Sequence, residues 1–139
     1  MSFMVERRVR LATVGTGDLP DNKFRVQVEL EWGGETYVGT AEQAWRENAE
    51  FICAANAACR ALEAVVAPTG TKFEPLQSEA VSAVGRMLAV VALAIRSPDE
   101  NQYTVGVCAI TDDPAGASVR AVLSATNRRM TQLLSELAG

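Results

Sequence analysis

The chain matches itself when shifted by 67 residues: Val38-Gly39 falls on Val105-Gly106, Ile52 on Val119, Ala55 on Val122, Cys59 on Thr126 and Val66 on Leu133. A repeat of this length constrains the fold more than any single motif, because each copy must supply the same elements in the same order. Each copy reads strand, strand, strand, helix. The boundary lies near Pro68 to Thr71, which gives a first unit over 1–70 and a second over 71–139. A unit of ~70 residues has little interior of its own, so the two are expected to share one. The predicted fold is a single α+β domain of two pseudo-symmetric βββα units, with helices laid on antiparallel sheet in two layers.

The hydropathy pattern supplies the elements. Val9, Leu11 and Thr13 alternate with polar or small residues as a first strand, and Thr16 to Asn22 carries the turn residues that would follow it. Phe24, Val26, Val28, Leu30 and Trp32 alternate with Arg25, Gln27, Glu29 and Glu31, the period-two signature of a half-buried strand. Gly33-Gly34 then reads as a tight turn, with Glu35 to Ala41 as the returning strand. From Ala44 to Ala67 the period becomes helical, and Phe51, Ile52, Ala55, Cys59, Leu62 and Val66 share one stripe. In the second unit Lys72 to Gln77 reads as a strand, Arg86 to Arg96 as an apolar strand and Tyr103 to Thr111 as its hairpin partner. The run through Val81, Val84, Leu88, Val91 and Ile95 fits a buried helix as well; the repeat favours strand. Asp113 and Pro114 announce the last helix as N-cap and first residue.

Composition removes whole classes of function. Histidine is absent from all 139 residues, which excludes His-dependent triads, imidazole bases and His-containing zinc sites. Only Lys23 and Lys72 are lysines, so an enzyme built from this chain would run on carboxylate, thiol, phenol or guanidinium groups. The net charge of −4 opposes binding to nucleic acid or to anionic lipid, and the basic clusters Arg7, Arg8, Arg10 and Arg128-Arg129 are too short to count as tracts. Met87 to Ile95 is too short to span a membrane, and charges occupy Met1 to Arg10 where a leader needs its apolar core. The expectation is a cytoplasmic protein with no membrane and no nucleic-acid partner. Cys53, Cys59 and Cys108 then read as unpaired small apolar residues.

Each chemically suggestive group has a plainer reading beside it. Gly15-Thr16-Gly17-Asp18 lacks the third glycine and the Lys-Ser/Thr ending of a phosphate loop and reads as a turn. Cys53 and Cys59 lie about 120° apart around a helix and do not converge on a metal; Cys53, nearer the exposed flank, is the thiol to test. Asp112 and Asp113 form either an acid–base pair or a helix cap, and Trp32, Tyr37 and Trp45 either an aromatic box or a seal over the core. Asn56 and Asn127 either reach a ligand between helix and sheet or mark the margin of an apolar stripe. No metal site and no cofactor is expected.

The second unit carries Val105-Gly106-Val107, the acidic Asp112-Asp113, Ala117-Ser118-Val119-Arg120-Ala121 and Ala125-Thr126-Asn127-Arg128. In these residues it resembles the end of the C-terminal regulatory, leucine-feedback domain of isopropylmalate synthase. That family's domain is a pseudo-symmetric pair of strand–strand–strand–helix units that dimerises and binds an amino-acid effector. The first unit has Gly39-Thr40-Ala41-Glu42-Gln43 where the family has a Gly-x-Gly-Pro turn, and the synthase's catalytic barrel is missing. The resemblance therefore implies a homodimeric, non-catalytic module that binds a small effector, with Gly106, Thr111, Asp112 and Asp113 as the positions matching the family's second unit. The alanine-rich flank of the first helix, Ala54, Ala57 and Ala61, would suit a subunit contact. The alternatives are a small carboxylate- or thiol-dependent enzyme, using Cys53, Asp112 or Asp113, and a purely structural interaction domain.

Overall fold

The structure is a computed structural model that describes residues 8–138. Arg7 of the first basic cluster, and most of the segment 1–10 read for a leader, lie outside the described residues. The order is β1 (Arg10–Leu19), β2 (Lys23–Trp32), β3 (Glu35–Ala44), α1 (Ala49–Val65), a short 3-10 turn at Ala67–Thr69, β4 (Lys72–Ala83), β5 (Arg86–Arg96), β6 (Asn101–Ala109) and α2 (Pro114–Ala138). Two antiparallel sheets, β1-β2-β3 and β4-β5-β6, are each followed by a helix, so the fold is α+β with two βββα units. Helix α1 packs on β3 and β2 and also against β4 and α2; α2 packs on β6 and β5 and barely on β1. One apolar core runs through both units, from Phe24, Val26, Val28 and Leu30 of β2 to Val91, Leu93 and Ile95 of β5.

The segment through Val91 is strand, as the repeat indicated, and its alternate residues Ala89, Val91, Leu93 and Ile95 face the helices. Several bounds move: β3 runs on to Ala44, the helix expected over Ala44 to Ala67 spans Ala49–Val65, and the strand expected over Tyr103 to Thr111 spans Asn101–Ala109; two further changes alter the sheets. Strand β1 continues to Leu19, so Gly15 to Asp18 belong to a strand, and the reversal is confined to Pro20, Asp21 and Asn22, the last two with positive φ. Strand β4 continues to Ala83 because an extra residue, Leu76, is accommodated between the pairs Pro75↔Leu93 and Gln77↔Ala92. Proline cannot donate to a sheet ladder, and it commonly sits at such a bulge. Strand β1 carries a matching irregularity between Leu11 and Thr13.

No single shift describes the repeat. Gly39 pairs with Val28, and Gly106 with Val91, so the central strands repeat at 63 residues while β3 and β6 repeat at 67. The β5–β6 hairpin is the longer one, since 97–100 separates its strands where only 33–34 separates β2 from β3. The helices repeat at 64. Gly39 lies against Ala57 and Ala61 of α1, whereas Gly106 lies against Ala121 and Ala125 of α2. The match of Ile52 to Val119 at 67 residues is therefore one turn out of register, and Ile52 is half-buried where Val119 is fully buried.

Those two glycines let the helices come down onto the sheets. A Cβ on Gly39 would overlap the Ala57 carbonyl oxygen and the Ala61 amide, and one on Gly106 would overlap the Ala121 carbonyl oxygen. Ala54, Ala57, Ala58 and Ala61 are fully buried inside the chain, so the alanine flank serves this close approach and not a subunit contact. Side chains then tie the units together. The Ser118 hydroxyl donates to the Phe51 carbonyl at 2.7 Å, joining α2 to α1. Arg60 donates to the Phe73 carbonyl at 2.7 Å, and the Phe73 N–H donates to Glu63 at 2.9 Å, fastening α1 to β4.

A backbone overlap cannot be relieved by a rotamer change. Gly39→Ala and Gly106→Ala are each expected to destabilise the fold by about 3 kcal/mol or more, read as a lower urea midpoint with an unchanged slope. Val84 offers the opposite test. It occupies the β4–β5 turn with φ of 48°, followed by Gly85 at 72°, and is 90% exposed. A β-branched residue is strained there, while Asn-Gly is the preferred pair in such a turn. Val84→Asn should raise stability by about 1 kcal/mol in the same titration.

Candidate functional site

Both strand-to-helix connections are four residues long, 45–48 after β3 and 110–113 after β6. They are built differently. In the second, Asp113 is the N-cap: its carboxylate accepts the Gly116 N–H at 3.0 Å and its carbonyl accepts the Ala117 N–H at 3.0 Å. The Thr111 hydroxyl donates to Asp112 at 3.1 Å, and both residues are exposed. Thr111, Asp112 and Asp113 thus stand together at the start of α2, with Asp113 capping the helix. Gly106 is apart from them, buried against the α2 backbone.

In the first connection the cap residue is Asn48, in the left-handed conformation with no side-chain cap bond. Pre-organised N–H groups at an open helix start attract negative charge. Next to it lies a cavity of about 320 Å³, bounded on the helix side by Arg46, Glu47, Asn48, Ile52 and Asn56 and on the strand side by Pro75 to Glu79. Asn48, Ile52 and Asn56 are four residues apart, so they form one face of α1. The strand wall exists because of the bulge: Leu76 adds a residue, and Ser78 then turns inward opposite Val91.

The polar groups of this cavity come from both walls. Ser78 is only 5% exposed as a residue, and it lines the cavity, so the little surface it keeps is available to an occupant there. Asn56 donates its amide to the Ile52 carbonyl at 3.1 Å, which fixes the side chain and leaves its own oxygen available as an acceptor. Arg46 brings a cation, Glu47 and Glu79 bring carboxylates, and Ile52, Pro75 and Leu76 an apolar wall. Of the two asparagines singled out from the sequence, Asn56 lines this cavity and Asn127 is exposed on α2. A larger groove of about 460 Å³ runs beside Gly15, Gly17, Arg25 and Gln27. It is an open trough on the first sheet with no buried polar group directed into it.

The two connections are repeat mates. At the helix offset of 64, Thr111 corresponds to Glu47 and Asp112 to Asn48. The cavity thus lies at the counterpart of the loop named from the sequence, where α1 meets β4. Ser78, Arg46 and Leu76 went unnoticed; the proline in β4 was the available sign of a bulge.

The other candidate groups have structural occupations. Cys53 is fully buried, contrary to its placement near an exposed flank, and its thiol donates to the Ala41 carbonyl at 3.3 Å. Burial pushes the Cys53 thiol pKa upward, and burial pushes that of Cys59 up to about 12. Trp45 stacks on Phe24 at 4.0 Å between ring centroids, closing the end of the core, while Trp32 and Tyr37 pack against its edge. Burial, with Asp113 nearby, raises the Glu50 carboxyl pKa where the two helix starts approach. Among the described residues no three His, Cys, Asp or Glu side chains gather as a metal site, and no helix is long and apolar enough to cross a membrane. No family model matches the chain, and no curated protein matches it.

An aromatic disulfide reagent should label Cys108, the partly exposed thiol, in the native protein, and reach Cys53 and Cys59 only on unfolding. Labelling of Cys53 at the rate of a free thiol in the folded state would contradict this burial.

Proposed function

We propose that the protein is a non-catalytic module that binds a small metabolite and acts as a homodimer, with the cavity between the start of α1 and the bulge of β4 as its ligand site. The observation that carries this reading is the convergence of Ser78, Asn56 and Arg46 on one cavity, with the Asn56 amide held in place by the Ile52 carbonyl. The volume stands near the lower end of the range for small-molecule sites, and the wall is mainly polar with one apolar side from Ile52, Pro75 and Leu76, which suits a small, charged occupant. Arg46 and the open helix start suit a carboxylate, Glu47 and Glu79 suit an ammonium group, and Ile52, Pro75 and Leu76 suit a short apolar tail.

Amino acids and keto acids are accordingly the compounds to screen. The resemblance of the second unit to a leucine-feedback domain points to the same class. An enzymatic role has less support, because Cys53 lies buried with its thiol bonded to the backbone and Asp113 caps a helix.

A thermal-shift screen of amino acids and keto acids tests the reading. A ligand at a hundred times its dissociation constant adds about 2.7 kcal/mol to the folded state. The shift should be lost in Asn56→Leu and in Ser78→Ala, while Asp112→Asn keeps it. Loss in Asp112→Asn with retention in the other two would move the site to the second connection. Absence of any shift across the screen would remove the sensing role.

A further inference from the structure

The two sheets turn opposite kinds of surface outward. On the central strand of the first, Arg25, Gln27, Glu29 and Glu31 point away from the helices, and Arg10–Glu31 and Arg25–Glu42 ion pairs cross this face. On the central strand of the second, the outward residues are Leu88, Val90, Ala92 and Ala94. Beside them on β6 stand Tyr103, Val105 and Val107, with Tyr103 66% and Val105 61% exposed. A strand covered on one face alternates apolar with polar residues, as β2 does, whereas a continuous apolar run such as β5 is the composition of a strand covered on both. Inside the chain the helices cover the inner face of β5, while on the outer face Ala94 is buried and Leu88, Val90 and Ala92 stay partly exposed.

We propose that the outer face of β4-β5-β6 is where a second copy of the chain docks, sheet against sheet about a two-fold axis. This rests on the homodimer part of the preceding reading and not on its ligand. Three strands at ~4.8 Å spacing overlapping for nine residues at ~3.4 Å present a flat footprint of about 430 Å². The relief of Tyr103, Val105 and Val107 raises the accessible area toward the ~600–800 Å² per partner of a stable interface. Stacked sheets pack about 10 Å apart with strands nearly aligned, which is the geometry that two such faces offer each other.

Charge selects the axis. The charges bordering the strip are Lys72, Glu74 and Glu79 on β4 and Arg86 and Arg96 at the ends of β5, with Glu74 paired to Arg96 at 2.7 Å. A two-fold axis parallel to the strands places each charged β4 over the other copy's β6, whose outward residues Tyr103, Val105 and Val107 are uncharged, and keeps like charges apart. The contact is isologous, so it closes at two copies.

Light scattering after size exclusion at micromolar concentration tests the face. The wild-type protein should run at twice the 14.9 kDa chain mass, and Val105→Lys at the single-chain mass with unchanged near-ultraviolet circular dichroism. Val38→Lys, at the matching position on the outer face of the first sheet, should remain a dimer. Val107→Lys gives a second reading should Val105→Lys lose its native signal. A wild-type protein at the single-chain mass overturns both the homodimer and the face. A dimeric wild type whose Val105→Lys and Val107→Lys variants stay dimeric overturns the face alone, as does dissociation by Val38→Lys only.

Discussion

The contact on which the structure depends is the close approach of each helix to the last strand of its own sheet. Gly39 under Ala57 and Ala61, and Gly106 under Ala121 and Ala125, bring backbone to backbone with no side chain between. That approach gives each unit a thin sheet-to-helix layer, and thin layers let two units of modest size merge their interiors. Leu62, Val65 and Val66 of α1 can then share a core with Leu133 and Leu134 of α2 and with Phe73 at the start of β4. The polar ties at Ser118, Arg60 and Glu63 satisfy backbone groups left open where the units meet.

Much of this architecture is legible in the sequence because periodicity records which face of an element is covered. Alternation from Phe24 to Trp32 gives all of β2 except its first residue, Lys23, and Asp113-Pro114 gives the start of α2. The same rule is ambiguous for β5, where apolar residues occupy both faces, and only the repeat resolved it. What sequence reading missed lies where spacing changes without a change in composition. The extra residue Leu76, the longer β5–β6 hairpin and the extension of β1 through two glycines alter register while leaving the apolar pattern almost intact.

The candidate site was less legible for a related reason. A repeat suggests that both copies serve alike, and the likeness to a known family drew attention to Thr111, Asp112 and Asp113. Symmetry is broken where α1 packs on β4, since α2 hardly touches β1. The cavity forms at that asymmetric junction, and its polar groups come from residues as ordinary as Ser78 and Asn56, whose significance is set by burial and not by type.

The unequal spacing of the two copies also bears on how the chain finds its own fold. A duplicated sequence risks pairing a strand with its counterpart in the other half, a characteristic failure of repeat proteins. Here the Gly33-Gly34 reversal, both glycines at positive φ, zips β2 to β3 through neighbours only two residues apart. Short loops close at the least entropic cost, so β2 and β3 meet before a distant strand competes for either edge. With its loop four residues long and its repeat distances of 63, 67 and 64 out of step, the later half is a poor substitute in the earlier one. Drift between the copies thus acts as a proofreading device, steering each strand to its proper neighbour.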